Sequence, residues 1–323
     1  MKRLAWLSGQ LLDWWILRGA PRLAASLPWS LAWPMCRSLA RLRHMYPEPV
    51  EGAASIAPRH LPLGDLDAFR RDLRTNWLLD AADLPSSRAN RTDWLPRDVE
   101  VQGSWPARGG FLAASFHYGN GLWILRHLRA SGHDSVFVSG RFEASDFAAH
   151  PVRYRYGRAR MAEVERIGGR PSAYRPGVRG QILAALQGGT AVVGLVDVPP
   201  RLAPRGQCPV HLLGQPASLP LGLFELAREA AVPVVPCWVE PDFRSGRRRV
   251  VIGEALSPEA PGQIAATLAN TLDRLLRAQP AAWMFWNEWP GWLADAAPLH
   301  AAFPTGAAEG RLRGSEPVAG TSP

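Results

Sequence analysis

The stretch Phe111-Leu112-Ala113-Ala114-Ser115-Phe116-His117-Tyr118-Gly119-Asn120-Gly121-Leu122-Trp123-Ile124-Leu125 decides how this chain is to be read. From Phe111 to Phe116 the residues are almost all apolar, with Gly109-Gly110 behind them and two glycines ahead, as in a buried strand. From Gly121 to Ala130 the apolar spacing turns helical. A short buried strand that passes through a glycine-flanked turn into a helix is the opening of a parallel, helix-covered sheet. His117 stands at the carboxyl end of that strand, where open α/β sheets bind their ligands. A neutral imidazole there takes a proton from an attacking hydroxyl near pH 7. Backbone N–H groups around Gly119, Asn120 and Gly121, at the helix start, suit a developing negative charge. A histidine merely satisfied in a turn would give the same local pattern.

The alternation continues downstream. Strands are expected over 135–139, 191–196, 232–238 and 248–252, and helices over 152–167, 177–186, 219–231 and 263–278. The strand at 191–196 closes on Asp197, and a loop rich in Pro, Arg and Gly runs from there to position 207. In a parallel sheet the strand ends gather on one edge, so Asp197 is expected within hydrogen-bond reach of His117. Arg201 is the first basic residue after Asp197, so a local ion pair is not the obvious alternative; capping of the next turn is. The fold class is α/β, a mostly parallel central sheet flanked by helices. Residues 106–300 form this domain, and residues 43–105 are a helical and loop lead-in with a helix over 65–79 and a loop over 85–98. The Gly-, Pro- and Ser-rich residues 301–323 read as a disordered tail.

The first 42 residues have a different character. Five of the fourteen tryptophans lie here, at Trp6, Trp14, Trp15, Trp29 and Trp33. Leu4, Leu7, Leu11, Trp14 and Trp15 recur at helical spacing, with Lys2, Arg3, Asp13 and Arg18 between them. Gln10, Asp13, Pro28, Pro34 and Arg37 break every apolar run before it reaches the roughly 18 residues a spanning helix needs. Indole rings favour the headgroup boundary, so the segment reads as amphipathic helix lying on a membrane surface. The bland alternative is a pair of helices packed on the protein's own core.

Composition excludes several classes. With 47% hydrophobic and 20% charged residues in 323, the chain is a globular protein with ample core. The formal charge is +9, and because Lys2 is the only lysine it is carried by arginine. That balance suits anionic lipid or an acidic carrier protein. The arginines are scattered, with neither zinc-finger spacing nor a ribonucleoprotein signature, which argues against nucleic acid. Cys36, Cys208 and Cys237 are too few and too far apart for a disulfide framework. The chain lacks G-x-S-x-G, G-x-x-x-x-G-K and H-E-x-x-H, and so the nucleophile elbow, phosphate loop and zinc helix. His127 and His133, among arginines and without ligand spacing, are expected at the surface.

From Gly110 to about Trp289 the chain resembles the late acyltransferases of lipid A biosynthesis and related bacterial glycolipid acyltransferases. His117-Tyr118-Gly119-Asn120-Gly121 resembles their first motif, H-x-G-N-W-[DE], and Gly157-Arg158-Ala159-Arg160 their G-R-x-R block. The apolar run closing on Asp197, the block from Val210 to Gly222, Val232-Pro233-Val234-Val235-Pro236 and Gln279-Pro280-Ala281-Ala282-Trp283-Met284-Phe285-Trp286 resemble further motifs in the same order. Two positions depart: Leu122 stands where the motif has its acid, and Asn287-Glu288-Trp289-Pro290 where basic residues usually come next. The resemblance implies acyl transfer from a thioester of acyl carrier protein or coenzyme A to a hydroxyl or amine of a lipid or glycolipid. It implies direct attack with His117 as base, at the cytoplasmic face of the inner membrane, without metal or cofactor. Gly119 and Asn120 are then candidate substrate-binding residues, and Arg158 and Arg160 candidates to bind phosphate or the carrier. Leu122 leaves open a degenerate protein that binds lipid or carrier without turnover, and water as acceptor would make the chain a thioesterase.

Overall fold

The computed structural model describes residues 2–89, 99–140, 143–174 and 177–292. The tail expected over 301–323 lies outside them. At the centre is a six-stranded sheet of β1 (Val99–Gln102), β2 (Phe111–Ser115), β3 (Ser135–Phe137), β4 (Ala191–Leu195), β7 (Val234–Pro241) and β8 (Arg248–Ile252). Its strands lie in the order β1-β8-β7-β2-β4-β3. β7, β2, β4 and β3 are mutually parallel; β8 runs antiparallel to β7, and β1 parallel to β8. All five residues of β2 are buried because β4 and β7 cover its edges and apolar layers cover both faces. Leu112 and Ala114 join one layer and Phe111 and Ala113 the other, the alternation a strand imposes.

Helices α6 (Leu122–Ala130) and α7 (Pro151–Gly168) cover the second face, contributing Leu122, Ile124, Leu125, Met161, Val164 and Ile167. The first face carries α8 (Val178–Gln187), α9 (Gly222–Glu229), α10 (Pro261–Ala278) and the segment from Pro280 to Trp292. The amino-terminal part comprises α1 (Lys2–Trp14), a π-turn over Trp15–Gly19, α2 (Ala20–Ser26), α3 (Trp29–Leu39), α4 (Pro47–Ile56) and α5 (Leu66–Arg88). No helix among the described residues is long and apolar enough to cross a membrane. Leu4, Leu7, Leu11 and Trp14 of α1 are exposed, Leu4 and Leu11 by 73% and 69%. Beyond them the chain enters the core through Ile16, Leu17, Ala20 and Ala24.

Three expectations need correction. The helix expected to end at position 79 runs to Arg88, so Pro85-Ser86-Ser87-Arg88 is helix rather than loop; residues 90–98 lie outside the described ones. Local composition misleads here because Ser86, Ser87 and Asp83 are buried and bonded, and that packing outweighs the one helical bond Pro85 forfeits. The helix expected over 219–231 begins at Gly222, because Leu219 and Pro220 belong to a hairpin of β5 (Gln207–Leu212) and β6 (Gln215–Pro220). Its two-residue turn has positive φ at both Leu213 (52°) and Gly214 (76°). A leucine in that first position conceals the usual turn signature. The lead-in expected as helix and loop over 43–105 also contributes the edge strand β1, which is short and mostly exposed and so lacks a buried strand's apolar pattern.

Candidate active site

The register of two parallel strands builds the centre. Ser115 of β2 lies opposite Leu195 of β4, and the Val196 N–H donates to the Ser115 carbonyl at 2.8 Å. Two residues further along each strand, His117 and Asp197 therefore arrive side by side. Asp197 Oδ1 lies 2.8 Å from His117 Nδ1, and Oδ2 accepts the His117 backbone N–H at 2.8 Å. Oδ2 also accepts the Trp283 indole N–H at 2.8 Å. Asp197 is completely buried, and these three contacts replace the water it gives up. The Phe285 ring lies parallel to the imidazole, centroids 3.6 Å apart at 7°, so the ring plane is fixed as well as its Nδ1 end. Nε2 has no protein partner among the described residues, and the side chain keeps 10% exposure. An Nδ1–H held by carboxylate leaves a lone pair on Nε2, the arrangement a general base requires.

The closing segment is tied to the turn after His117. The Met284 N–H donates to the His117 carbonyl at 2.9 Å, and the Gly119 N–H to the Ala282 carbonyl at 2.8 Å. Gly119 adopts φ +65°, and a Cβ there would stand 2.0 Å from the Val239 carbonyl oxygen, so this position accepts only glycine. Behind the segment Trp283, Trp286, Trp289 and Trp292, each at most 1% exposed, pack largely edge to face. Their three-residue spacing puts successive rings of the 3₁₀ turn Trp286–Trp292 on one side.

Helix α5 supports the same turn through a buried polar stripe. Asn76, Asp80, Asp83 and Ser87 recur at helical spacing and are all buried. Asn76 Nδ2 donates to the Ala282 carbonyl at 2.9 Å, the acceptor shared with Gly119. Asp83 accepts from Arg248 Nη2 and from the Trp123 indole, each at 3.1 Å, and Arg248 Nε donates to Asn120 Oδ1 at 3.1 Å. Arg248, 2% exposed, lies between the Trp29 and Trp123 rings at 5.3 and 5.2 Å. Burial pushes the Asp83 carboxyl up to about 6, more than the neighbouring Arg248 charge restrains it.

The other expected site residues divide. Gly119 and Asn120 are in the turn, but the Gly119 N–H is spent on Ala282 and the Asn120 side chain is buried against Arg248, so neither presents that group to a substrate. The Asn120 and Gly121 N–H groups donate to nothing among the described residues. Arg158 is exposed on α7. Arg160 is committed to Asp80 at 2.9 Å; burial works against its charge, and Asp80 and Tyr156 more than offset that. Leu122 is a buried core residue of α6. His127 is half-buried rather than at the surface, its Nδ1 accepting the Trp105 indole N–H at 2.9 Å.

No protein-family model matches the chain, and no curated protein matches it significantly. Trp283 and Phe285, which the sequence marks only through a resemblance, are what hold Asp197 and His117. Asp83 and Arg248 carry no sequence motif, although the spacing of Asn76, Asp80, Asp83 and Ser87 is visible as polar residues on one face of a helix.

Proposed function

We propose that the chain is a membrane-associated acyltransferase with His117 as general base and Asp197 as its partner. The donor is a fatty acyl thioester of acyl carrier protein or coenzyme A, and the acceptor a hydroxyl or amine of a lipid or glycolipid. One observation carries the reading: the imidazole is held at Nδ1 by a buried carboxylate while Nε2 has no protein partner among the described residues. The acceptor passes its proton to Nε2 as its oxygen or nitrogen attacks the thioester carbonyl. The tetrahedral intermediate collapses with cleavage of the C–S bond, and the proton on Nε2 leaves with the thiolate. Asp197 stabilises the imidazolium formed between these steps. The Asn120 and Gly121 N–H groups are the donors left in the turn for the oxyanion.

The carboxylate missing at position 122 weighs less against catalysis when Asp197 supplies one. The exposed Leu4, Leu7, Leu11 and Trp14 support a place on a membrane surface, and the donor chemistry a place on its cytoplasmic face. The test is turnover of a radiolabelled acyl thioester with total membrane lipid, wild type against His117→Ala. Acylated lipid formed by the wild type, and reduced at least ~10²-fold in the variant, is expected. Free fatty acid as the sole product would make the protein a thioesterase, and binding without turnover a lipid- or carrier-binding protein.

A further inference from the structure

The exposed stripe of α1 does not end with its apolar residues. Leu4, Leu7, Leu11 and Trp14 lead, at continuing helical spacing through the π-turn and α2, to Arg18 and Arg22. The apolar part spans about 15 Å along the axis. The opposite side of α1 is anchored on the start of α7. Trp6 Nε1 and Gln10 Nε2 both donate to the Ala149 carbonyl, at 3.1 and 3.0 Å, and buried Asp13 receives Arg153 at 2.9 Å.

Two more arginines join the basic end. The π-turn carrying Arg18 packs against α5 and α7. Arg88, at the end of α5, donates from Nη2 to the Ala159 carbonyl at 2.7 Å, one helical turn from the exposed Arg155. Among the described residues Arg18, Arg22 and Arg155 form no ion pair. Of the carboxylates on the neighbouring helices, Asp13 and Glu48 pair with Arg153, and Glu163 pairs with Arg166 and with Arg88, which leaves Arg18, Arg22 and Arg155 uncompensated. Burial, and then the charges of Arg22, Arg155 and Arg88, hold the Arg18 guanidinium below its ordinary value, consistent with this crowding of like charge. Uncompensated arginines side by side favour an anion between them.

We propose that Arg18, Arg22 and Arg155, with Arg88 beside them, bind the phosphate groups of anionic phospholipids when the α1 stripe lies in a bilayer. This rests on the membrane-surface reading of the proposed function and adds to it a lipid class and a site. A bilayer is favoured over an acidic carrier protein because the cluster continues the same stripe as the exposed leucines. Apolar chains immersed beside arginines at the headgroup level are the pattern of an interfacial helix.

Vesicle sedimentation tests it, with phosphatidylcholine alone and phosphatidylcholine doped with phosphatidylglycerol. The wild-type protein should prefer the anionic vesicles, and added salt should weaken that preference. Arg18→Gln, Arg22→Gln and Arg155→Gln together should lower affinity for the anionic vesicles on the order of a hundredfold, roughly fivefold per charge. Binding to pure phosphatidylcholine should change little. Equal binding of wild type to both vesicles, or a triple variant that still prefers the anionic ones, overturns the inference while leaving the membrane reading intact. No binding to either vesicle overturns both. If the triple variant sediments as wild type but loses transfer only from carrier-bound donors, the arginines serve the carrier and the lipid assignment fails.

Discussion

Asp197 accepts three hydrogen bonds, and they are not equivalent. The contact to His117 Nδ1 serves the imidazolium, whereas those from the His117 N–H and the Trp283 indole hold the carboxylate in place. Asp197→Asn retains the shape but removes the charge, and an amide that turned its NH₂ toward Nδ1 would select the wrong tautomer. It should cost at least roughly a hundredfold in acyl-transfer rate while leaving the fold intact, as an unchanged circular-dichroism spectrum would show. Trp283→Phe removes one charge-assisted hydrogen bond and keeps the ring. Such a bond contributes about 1.5–3 kcal/mol, so the rate should fall by roughly ten- to a hundredfold, mostly in kcat, if the whole effect reaches the transition state. A Trp283→Phe enzyme with wild-type kcat would mean that the remaining contacts alone orient the carboxylate.

At the scale of elements, α5 is a helix with a buried polar face, and that face makes stability depend on pH. The Asp83 carboxyl rises from its ordinary 3.8 to about 6, because burial outweighs the attraction of Arg248. The folded protein therefore holds this proton more tightly than the unfolded chain does. The contribution is fully present below pH about 4 and is lost as the pH rises through about 6, on the order of 3 kcal/mol. Asp83→Asn cannot titrate. The stability of wild type relative to this variant, from denaturant unfolding at pH 4 and pH 7, should decline toward pH 7 by up to that amount. An increase toward pH 7 would mean that the Arg248 pairing outweighs the cost of burying the charge. The helix also shows why sequence misjudged its end: Pro85 and the serines look like loop, and only the groups packed against them make the last turn worthwhile.

Across the whole molecule the amino-terminal segment changes in exposure at the π-turn. Before it Leu4, Leu7, Leu11 and Trp14 are exposed, whereas Ile16, Leu17, Ala20, Ala24 and Cys36 belong to the core and Trp29 lies over Arg248. Removing residues 1–40 would therefore damage the fold as well as any membrane contact, and a soluble or aggregated product would be uninformative. Leu7→Ser with Leu11→Ser is the cleaner change. Each leucine transferred from water to an apolar phase contributes about 1.5–3 kcal/mol, so vesicle affinity should fall by at least roughly a hundredfold. The melting temperature should stay within a degree or two, since both side chains are exposed. Unchanged vesicle binding would show that the α1 stripe is not the membrane contact.

Sequence by itself determined whatever depends on local period and chain order. The apolar run 111–116, the helical spacing after Gly121 and the run closing on Asp197 specified a mostly parallel α/β sheet. They also brought His117 and Asp197 to one edge, because parallel strands with matched ends deliver their next residues at one level. Tertiary structure decided whatever depends on contacts between distant segments. Gly119 reads as a donor at a helix start until the Ala282 carbonyl takes its N–H, and Asn120 as a substrate contact until Arg248, 128 residues away, takes its side chain. Leu122 reads as a missing acid until α6 turns it into the core. Asp83 bonds to Trp123 and Arg248, Arg160 to Asp80 and Trp283 to Asp197, each 40 to 165 residues away, and no local pattern records which of many polar groups each will meet. A buried polar group must find a partner somewhere, and only the folded chain determines where.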